Sequence, residues 1–362
     1  MRKKLRVALL FGGKSAEHEI SLISARNIAA AIDKRKYEIV AIGIDKQGRW
    51  HLDEGARLLL GGEKAMVEFR DARNAAAIMP GKTTTPMVRH SGAAGLAGID
   101  VVFPILHGPF GEDGTVQGLL KLANLPFVGA GVLGSAVGMD KDVMKRLLRD
   151  AGIAIGKFMV FKRADNISFA LVKRTLGMPL FVKPANLGSS IGISKVTKPT
   201  EFTAAVKEAF RYDSKIVIEE FIDGREIECS VLGNDNLIAS LPGEIVVNRD
   251  FYSYDAKYLD AHGSRLEIPA KLPAKVIKEI RQTAVKACHA LCCQGMARVD
   301  FFVQANGRVL VNELNTIPGF TKISMYPKMW EATGIAYANL IDRLVRLALE
   351  RFRQEQRLRS SK

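Results

Sequence analysis

Arg298-Val299-Asp300-Phe301-Phe302-Val303-Gln304-Ala305-Asn306-Gly307-Arg308-Val309-Leu310-Val311-Asn312-Glu313-Leu314-Asn315 reads as two β-rich runs joined at Asn306-Gly307. Asn-Gly between such runs is the strongest short hairpin signal and predicts a two-residue type I′ turn. That turn dictates the register: paired residue numbers add to 613, so Asp300 faces Glu313 and Arg298 faces Asn315. Side chains alternate along a strand, which sends all four to one side of the ribbon. Carboxylates opposed at about 5 Å repel each other. Two readings follow. Either a hard divalent cation such as Mg²⁺, which takes carboxylate oxygens and keeps positions for phosphate oxygens, sits between them; or Arg298 neutralises one acid and the remainder is ordinary surface.

Upstream, Lys183 ends an apolar strand from Leu180, and Pro184-Ala185-Asn186-Leu187-Gly188-Ser189-Ser190-Ile191-Gly192 follows before a strand through Val196. Small residues let backbone N–H groups approach phosphate oxygens, and a lysine adds a point charge. The loop joins two strands, so it is not a Walker A motif. Ile216 to Phe221 is a further apolar strand carrying Glu219 and Glu220 at its end. A helix is expected over Lys141–Asp150, a strand over Phe158–Phe161 and a helix from about Thr200 to Phe210.

The N-terminal part begins with an apolar strand, Arg6 to Phe11, a Gly12-Gly13 turn, a helix from about Glu19 to Ile32 and a strand from Tyr37 to Ile44. Strand, turn, helix, strand predicts a βαβ unit and a parallel sheet. Residues 46–98 read as an elaboration of this domain. Ile99 to Leu106 is another strand, running into His107-Gly108-Pro109-Phe110-Gly111-Glu112-Asp113-Gly114 and a helix from Thr115 to about Ala123. A long helix is expected from about Pro273 to Leu291. The fold class is α/β (α+β) in about three domains: 1–136, 137–228 and 229–362.

Composition narrows the function. The chain has 362 residues, 48% hydrophobic and 25% charged, which excludes a disordered or collagen-like protein. No apolar run approaches the roughly 20 residues that span a bilayer. The basic start, Met1-Arg2-Lys3-Lys4, precedes only Val7 to Phe11, a strand rather than an export signal. Cys229, Cys288, Cys292 and Cys293 show no metal-ligand spacing and are expected to be reduced thiols in a cytoplasmic protein. The net charge of +15 would attract a polyanion, and equally an anionic small substrate. No nucleic-acid-binding signature accompanies it. Arg343, Arg346, Arg351, Arg353, Arg357 and Arg359 alternate with Leu340, Ile341, Leu344, Val345, Ala348 and Phe352 at helical spacing, the pattern of a solvated helix face.

In order, the segments Phe11 to Glu19, His107 to Thr115, Met139-Asp140-Lys141, Lys183-Pro184 with Gly188-Ser189-Ser190, Tyr254-Asp255-Ala256-Lys257-Tyr258 and Asn312-Glu313-Leu314-Asn315-Thr316-Ile317-Pro318-Gly319 resemble the ATP-grasp superfamily, and within it the D-alanine–D-alanine ligases. The resemblance covers nearly the whole chain. It implies an N-terminal parallel-sheet domain and central and C-terminal α+β domains that clamp ATP. It implies that Lys141, Lys183 and Lys257 meet the phosphates, with Asn312 beside them, and that Glu219, Phe221, Ile222 and Glu226 hold adenine and ribose. Phe302 and Val311, opposed in the predicted register, would floor the base. Asp300, Glu313 and Asn315 would bind two Mg²⁺ ions, with Mn²⁺ as a substitute. Glu17 would pair with the ammonium of a first D-alanine, and His107 would lie near its carboxylate. Ser324 and the Met325 backbone would hold the second D-alanine. Arg298 and the Gly319 N–H would stabilise an oxyanion, and Glu17, Ser189 and Tyr258 would form a hydrogen-bonded trio closing the site. The implied partners are ATP and D-alanine, with no nucleic acid, no membrane insertion and a homodimer as the assembly. Tyr258 favours an amine as acceptor. His262, in the same loop, keeps D-lactate open, and D-alanine–D-lactate or D-alanine–D-serine ligases share every ATP and metal residue. From another class, a catalytically dead scaffold that binds polyanions would also exploit the charge.

Overall fold

The computed structural model describes residues 3–52, 76–78, 87–89, 98–247, 264–321 and 323–359. Tyr254, Lys257, Tyr258, His262 and most of the 46–98 elaboration lie outside them.

The N-terminal part contains β1 (Leu5–Gly12), β2 (Tyr37–Ile44), β3 (Trp50–Leu52) and β6 (Val101–Ile105) in one sheet, and β4 (Ala76–Ile78) with β5 (Met87–Arg89) as a separate pair. The sheet order is β3-β2-β1-β6, with β2 and β6 parallel to β1 as the βαβ pattern predicts. Alternation along β1 feeds two cores. Val7, Leu9 and Phe11 pack on one side, Ala8 and Leu10 on the other. Gly12 ends the strand at φ +92°, where a Cβ would fall 2.1 Å from the Ile44 carbonyl oxygen. Only glycine fits there.

The first of these cores also takes Leu340, Ile341, Leu344, Val345 and Ala348 from the helix Tyr337–Gln356, so the end of the chain packs back onto its beginning. Arg343, Arg346, Arg353, Arg357 and Arg359 are exposed as expected. Arg351 is not. It is buried and donates to the carbonyls of Gly129 (2.5 Å) and Phe127 (2.8 Å), lying over the Phe127 ring. Helical spacing alone cannot separate a solvated arginine from one satisfied by carbonyls of another segment.

The central sheet, β7 (Phe158–Lys162), β8 (Leu180–Pro184), β9 (Ser194–Val196) and β10 (Lys215–Glu220), is antiparallel in the order β7-β10-β8-β9. It packs its own core, whose members all lie between Met159 and Ile218. The third sheet comprises β11 (Arg225–Gly233), β12 (Ile238–Ala239), β13 (Gly243–Val247), β14 (Ser264–Glu267), β15 (Gly295–Val303) and β16 (Val309–Asn315), in the order β14-β13-β11-β15-β16 with β12 on β11. The 228/229 division therefore falls within β11. Helices Lys141–Asp150 and Ala274–Ala290 bury Met144, Leu148, Ile280 and Ala284 against this third sheet.

The β15–β16 ribbon departs from the predicted turn. Of its tip residues only Gly307 is left-handed, at φ +82°. Gly307 N–H bonds the Gln304 carbonyl (2.8 Å), Gln304 N–H bonds the Arg308 carbonyl (3.0 Å), and Asn306 Oδ1 accepts from Arg308 N–H. The loop thus has three residues, Ala305 to Gly307, a turn closed by a glycine bulge. It shifts the register by one, so Phe301 faces Val311 and Phe302 faces Leu310. A second bulge at Asn312 then shifts it back, and Asp300 faces Glu313 while Arg298 faces Asn315. The expected acid pair is present. The expected Phe302–Val311 pair is not: Val311 packs into the core with Val299, Phe301 and Leu314.

Candidate active site

The central and third sheets face each other across a cleft of about 390 Å³. On one wall, the helix Lys141–Asp150 starts at Asp140, whose side chain caps it by accepting from Asp142 and Val143 N–H. Residues four apart share a helix face, so Lys141 and Lys145 both point into the cleft. Lys141 donates to the Leu187 carbonyl of the glycine-serine loop (2.5 Å), and Lys183 joins from β8. Glu219 is the carboxylate bonded to two of these ammonium groups, while Glu313 acts on Lys141 and Lys183 from across the cleft. Glu219 meets Lys183 at 2.7 Å and Lys145 at 3.2 Å. Burial alone would raise its pKa, but the two lysines more than offset that and hold it at about 2. Burial pushes Lys141 below its ordinary range. The same burial acts on Lys183, but Glu219 outweighs it and lifts its pKa. Phe181 and Phe221, with ring centroids 6.3 Å apart, and Ile222 make the apolar end of the cleft, with Glu226 beside them.

The opposite wall inverts the charge. Asp300 pairs with Glu228 on β11 and with Glu313 on β16, so three carboxylates lie abreast on adjacent strands. Arg298 is the guanidinium among them. It makes two 2.7 Å bonds to Asp300 and lies 3.0 Å from Glu228. Burial disfavours its charge, yet Asp300, Glu228 and Glu313 together raise its pKa. Arg298 neutralises Asp300, as one sequence reading expected, but the remaining acids line the cleft and are not ordinary surface. Asp300 and Glu313 line the cleft, Asn315 faces Arg298 one pair further along the ribbon, and the three side chains offer oxygen donors without imidazole or thiolate, which would suit a hard cation. Among the described residues no cluster of three His, Cys, Asp or Glu side chains forms a ready-made cage. Two carboxylates and an amide leave positions for phosphate oxygens and water, as a phosphate-bound Mg²⁺ requires.

Glu17 stands at the start of helix His18–Ala31 but makes no capping bond. Its carboxylate instead accepts from the Ser189 hydroxyl, which brings the glycine-serine loop of the central sheet over the N-terminal domain. Ser189 and Ser190 have φ of 51° and 60°, a bend that carries the loop across. His107 Nδ1 lies 3.0 Å from the Ile317 carbonyl of the C-terminal unit. Gly319, two residues on, abuts Ser324, where a Cβ would fall 2.8 Å from Oγ. Ser324 accepts from Thr321 N–H at the start of helix Met325–Ala332, and the Met325 side chain is buried with Ile245 and Met329.

The structure therefore gathers Lys141, Lys183, Ser189, Glu219, Phe221, Ile222, Glu226, Asp300, Asn312 and Glu313 around one cleft. Lys257 and Tyr258 are outside the described residues. Sequence reasoning missed Lys145, although its place four residues after Lys141 was a usable signal. It also missed Glu228, two residues after Glu226 on one strand face, and Glu112. The Glu112 carboxyl is buried, accepts from Gly108 N–H (2.8 Å) and Ile317 N–H (3.4 Å), and is pushed up to about 8 by burial and by Glu17.

Two sheets that close a lysine-lined wall on an acidic ribbon define an ATP-grasp enzyme, a nucleotide clamp of α+β build. The D-ala D-ala ligase N-terminus family matches residues 6–130 and the D-ala D-ala ligase C-terminus family residues 147–346. The D-alanine–D-alanine ligase of Shouchella clausii is 53% identical over 99% of this chain and 98% of its own. Among solved structures, the D-alanine–D-alanine ligase from Coxiella burnetii superposes with a TM-score of 0.86 at 43% identity, covering 98% of this chain and 96% of that one. The VanG D-Ala:D-Ser ligase from Enterococcus faecalis superposes with a TM-score of 0.85 at 37% identity, covering 96% and 100%. The chain belongs to the D-alanine–D-alanine ligase family. It is a ligase, and its family is ATP-dependent.

Proposed function

We propose that this chain joins two D-alanine molecules into D-alanyl-D-alanine for peptidoglycan precursor synthesis, converting ATP to ADP and phosphate. The observation that carries this reading is the cluster of three lysines around Glu219 on one side of the cleft and the row of Glu228, Asp300 and Glu313 beside Arg298 on the other. A polyphosphate fits the first wall and its cation the second.

Lys141 and Lys183 hold the phosphates, together with Lys257. Glu219, Phe221, Ile222 and Glu226 take base and ribose, and Asn312 stands beside Glu313. Asp300, Glu313 and Asn315 would hold two Mg²⁺, or Mn²⁺ in their place, which would neutralise phosphate charge and orient the transferred group. The carboxylate of the first D-alanine, its ammonium on Glu17, attacks the γ-phosphorus and gives an acyl phosphate. The amine of the second, its carboxylate at Ser324 and the Met325 N–H, attacks the acyl carbon, and phosphate leaves. Arg298 and the Gly319 N–H receive the oxyanion charge, and Lys257 offsets charge on the phosphoryl group. The Glu17–Ser189 contact supports a closed lid, completed by Tyr258, that keeps water from the acyl phosphate. The chemistry asked of the protein is positioning and charge neutralisation.

We read the chain as three domains, with divisions near 136/137 and, moved from 228/229 so as to keep β11 whole, at the start of that strand at Arg225, working in the cytoplasm as a homodimer. No helix among the described residues is long and apolar enough to cross a membrane. The likeness to a D-Ala:D-Ser ligase makes acceptor choice the second reading. The test is phosphate release from ATP with and without D-alanine, with the product identified by mass and D-serine and D-lactate as competitors. D-alanine-dependent release with dipeptide as the main product is expected. Release without D-alanine, or tight polyanion binding without turnover, would overturn the reading.

A further inference from the structure

Helix His18–Ala31 encloses two serines completely, Ser21 and Ser24, one turn apart. A hydroxyl buried in an apolar core costs stability unless it finds a partner. Ser21 finds its partners within the N-terminal sheet: it accepts from Gly12 N–H (2.7 Å) and donates to the Ile105 carbonyl. Ser24 reaches the far end of the chain. Its Oγ accepts from Phe320 N–H at 3.2 Å. The other backbone polar group of Phe320 is held as well: its carbonyl accepts from the Tyr337 hydroxyl at 2.7 Å. Burial pushes that hydroxyl well above its ordinary pKa, so it stays a donor. The Phe320 ring packs against Phe103 and Tyr326, with centroids at 6.0 and 5.5 Å.

What Phe320 anchors is the chain on either side of it. From Thr316 to Phe320 every residue is buried except Gly319, which is partly exposed. Gly319 abuts Ser324, whose Oγ in turn accepts from Thr321 N–H at 3.0 Å. Upstream, the Ile317 carbonyl is fixed by His107 Nδ1 at 3.0 Å. Glycine has the widest backbone freedom of any residue, so the aim of the Gly319 N–H depends on how its neighbours are held. Ser24 holds the peptide that follows it. The same helix has Glu17 at its start, two turns or about 10 Å before Ser24.

Resting on the proposed function, in which Glu17 holds the first D-alanine while Gly319 and Ser324 meet the oxyanion and the second, we propose that Ser24 is a positioning residue of the peptide-forming step. Buried and out of reach of either substrate, it acts through the Phe320 N–H, which sets Gly319 and Ser324 at a fixed distance from Glu17. One rigid helix thus has the ammonium site of the first substrate at its start and the anchor of the oxyanion donor two turns on. Phosphoryl transfer to the first D-alanine precedes the oxyanion and does not draw on this link. Attack by the amine does. A donor stabilises developing charge only when it is aimed beforehand, and a misplacement of about 1 Å costs on the order of 10²-fold.

The test separates the two half-reactions. Ser24→Ala deletes one oxygen and leaves the Phe320 N–H buried without an acceptor. Acyl phosphate formation is read in the full-length protein by D-alanine-dependent isotope scrambling between bridging and non-bridging phosphate oxygens of ATP, ligation by dipeptide yield, and folding by circular dichroism. Ser24→Ala is expected to keep scrambling near the parent's rate while dipeptide formation falls by about 10- to 100-fold. The KM for the second D-alanine should rise and that for ATP should not. Tyr337→Phe frees the carbonyl of the same residue and keeps the ring, so it should show the same split with a smaller loss. Dipeptide formation near the parent's rate in Ser24→Ala would overturn the assignment. A parallel loss of scrambling and ligation, or an unfolded Ser24→Ala, would also overturn it and leave Ser24 a structural residue. If the parent itself shows no D-alanine-dependent scrambling, the ligase reading fails and Ser24 with it; a scrambling parent whose variants show no split removes Ser24 alone.

Discussion

The two walls of the cleft are built from the same kinds of group in opposite proportion. Lys141, Lys145 and Lys183 surround Glu219; Glu228, Asp300 and Glu313 surround Arg298. Glu219 bonds Lys145 and Lys183, and Arg298 bonds Asp300 and Glu228, without cancelling the charge of either group. A buried ion pair of this kind is weak evidence for stability, because desolvation offsets most of its attraction. The excess of one sign on each wall is the informative quantity. In the proposed function a metal–polyphosphate would bring an anion to the lysine wall and a cation to the acid wall at once.

That comparison is best broken at the acid wall. Glu313→Gln removes one charge with little change of shape, and D-alanine-dependent ADP release should fall by about a thousandfold, the upper range for a preorganised charge-stabilising group, with circular dichroism unchanged. Near-normal turnover would reduce the acid row to a structural feature. On the lysine wall, Lys183→Met leaves Lys145 to hold Glu219. The KM for ATP should rise by about 10- to 100-fold, matching roughly 1.5–3 kcal/mol for a charge-assisted bond, with a smaller change in kcat. Equal losses in both constants would place Lys183 in the transition state instead.

The walls also differ from Glu112 in the sign of their response to pH. The folded pKa of Glu112 is raised from 4.5 to about 8, so its contribution is complete below pH 4.5 and is lost as pH climbs towards about 8. Glu219, lowered to about 2, contributes above pH 4.5 and loses that as pH falls towards about 2. Each slope is at most about 1.4 kcal/mol per pH unit. Thermal melts between pH 5 and pH 8 should decline in the parent and flatten in Glu112→Gln; identical slopes would refute a raised Glu112. The smallest expected effect is on acceptor choice. Tyr258→Phe should shift the product ratio towards D-lactate without abolishing turnover, read by mass with competing acceptors, and an unchanged ratio would remove Tyr258 from specificity.

Much of this site was legible because its parts are local. Lys141 follows a capping Asp140, and Lys183 ends an apolar strand before small residues; each signal spans a few positions. The pairing of Glu17 with Ser189 is different: 172 residues separate them, and no spacing rule joins a helix start to a loop of another sheet. Glu228 was overlooked for the same reason. Its neighbour Asp300 sits on a strand that is 72 residues away in sequence and adjacent only after folding.

The sequence by itself determined that an Asn-Gly bend folds an acidic ribbon near the C-terminus, that a βαβ unit opens the chain, and that a lysine-bearing helix and strand precede a small-residue loop. These follow from periodicity, turn chemistry and capping, which act within a few residues. The tertiary structure alone decided that the facing of Asp300 and Glu313 survives two compensating irregularities, a three-residue tip with one left-handed glycine and a bulge at Asn312. It also decided that Arg351 turns inward and that Ser24 meets Phe320. Bulges, buried carbonyls and buried hydroxyls answer to packing and hydrogen bonding between distant segments, and that information exists only once the segments have met.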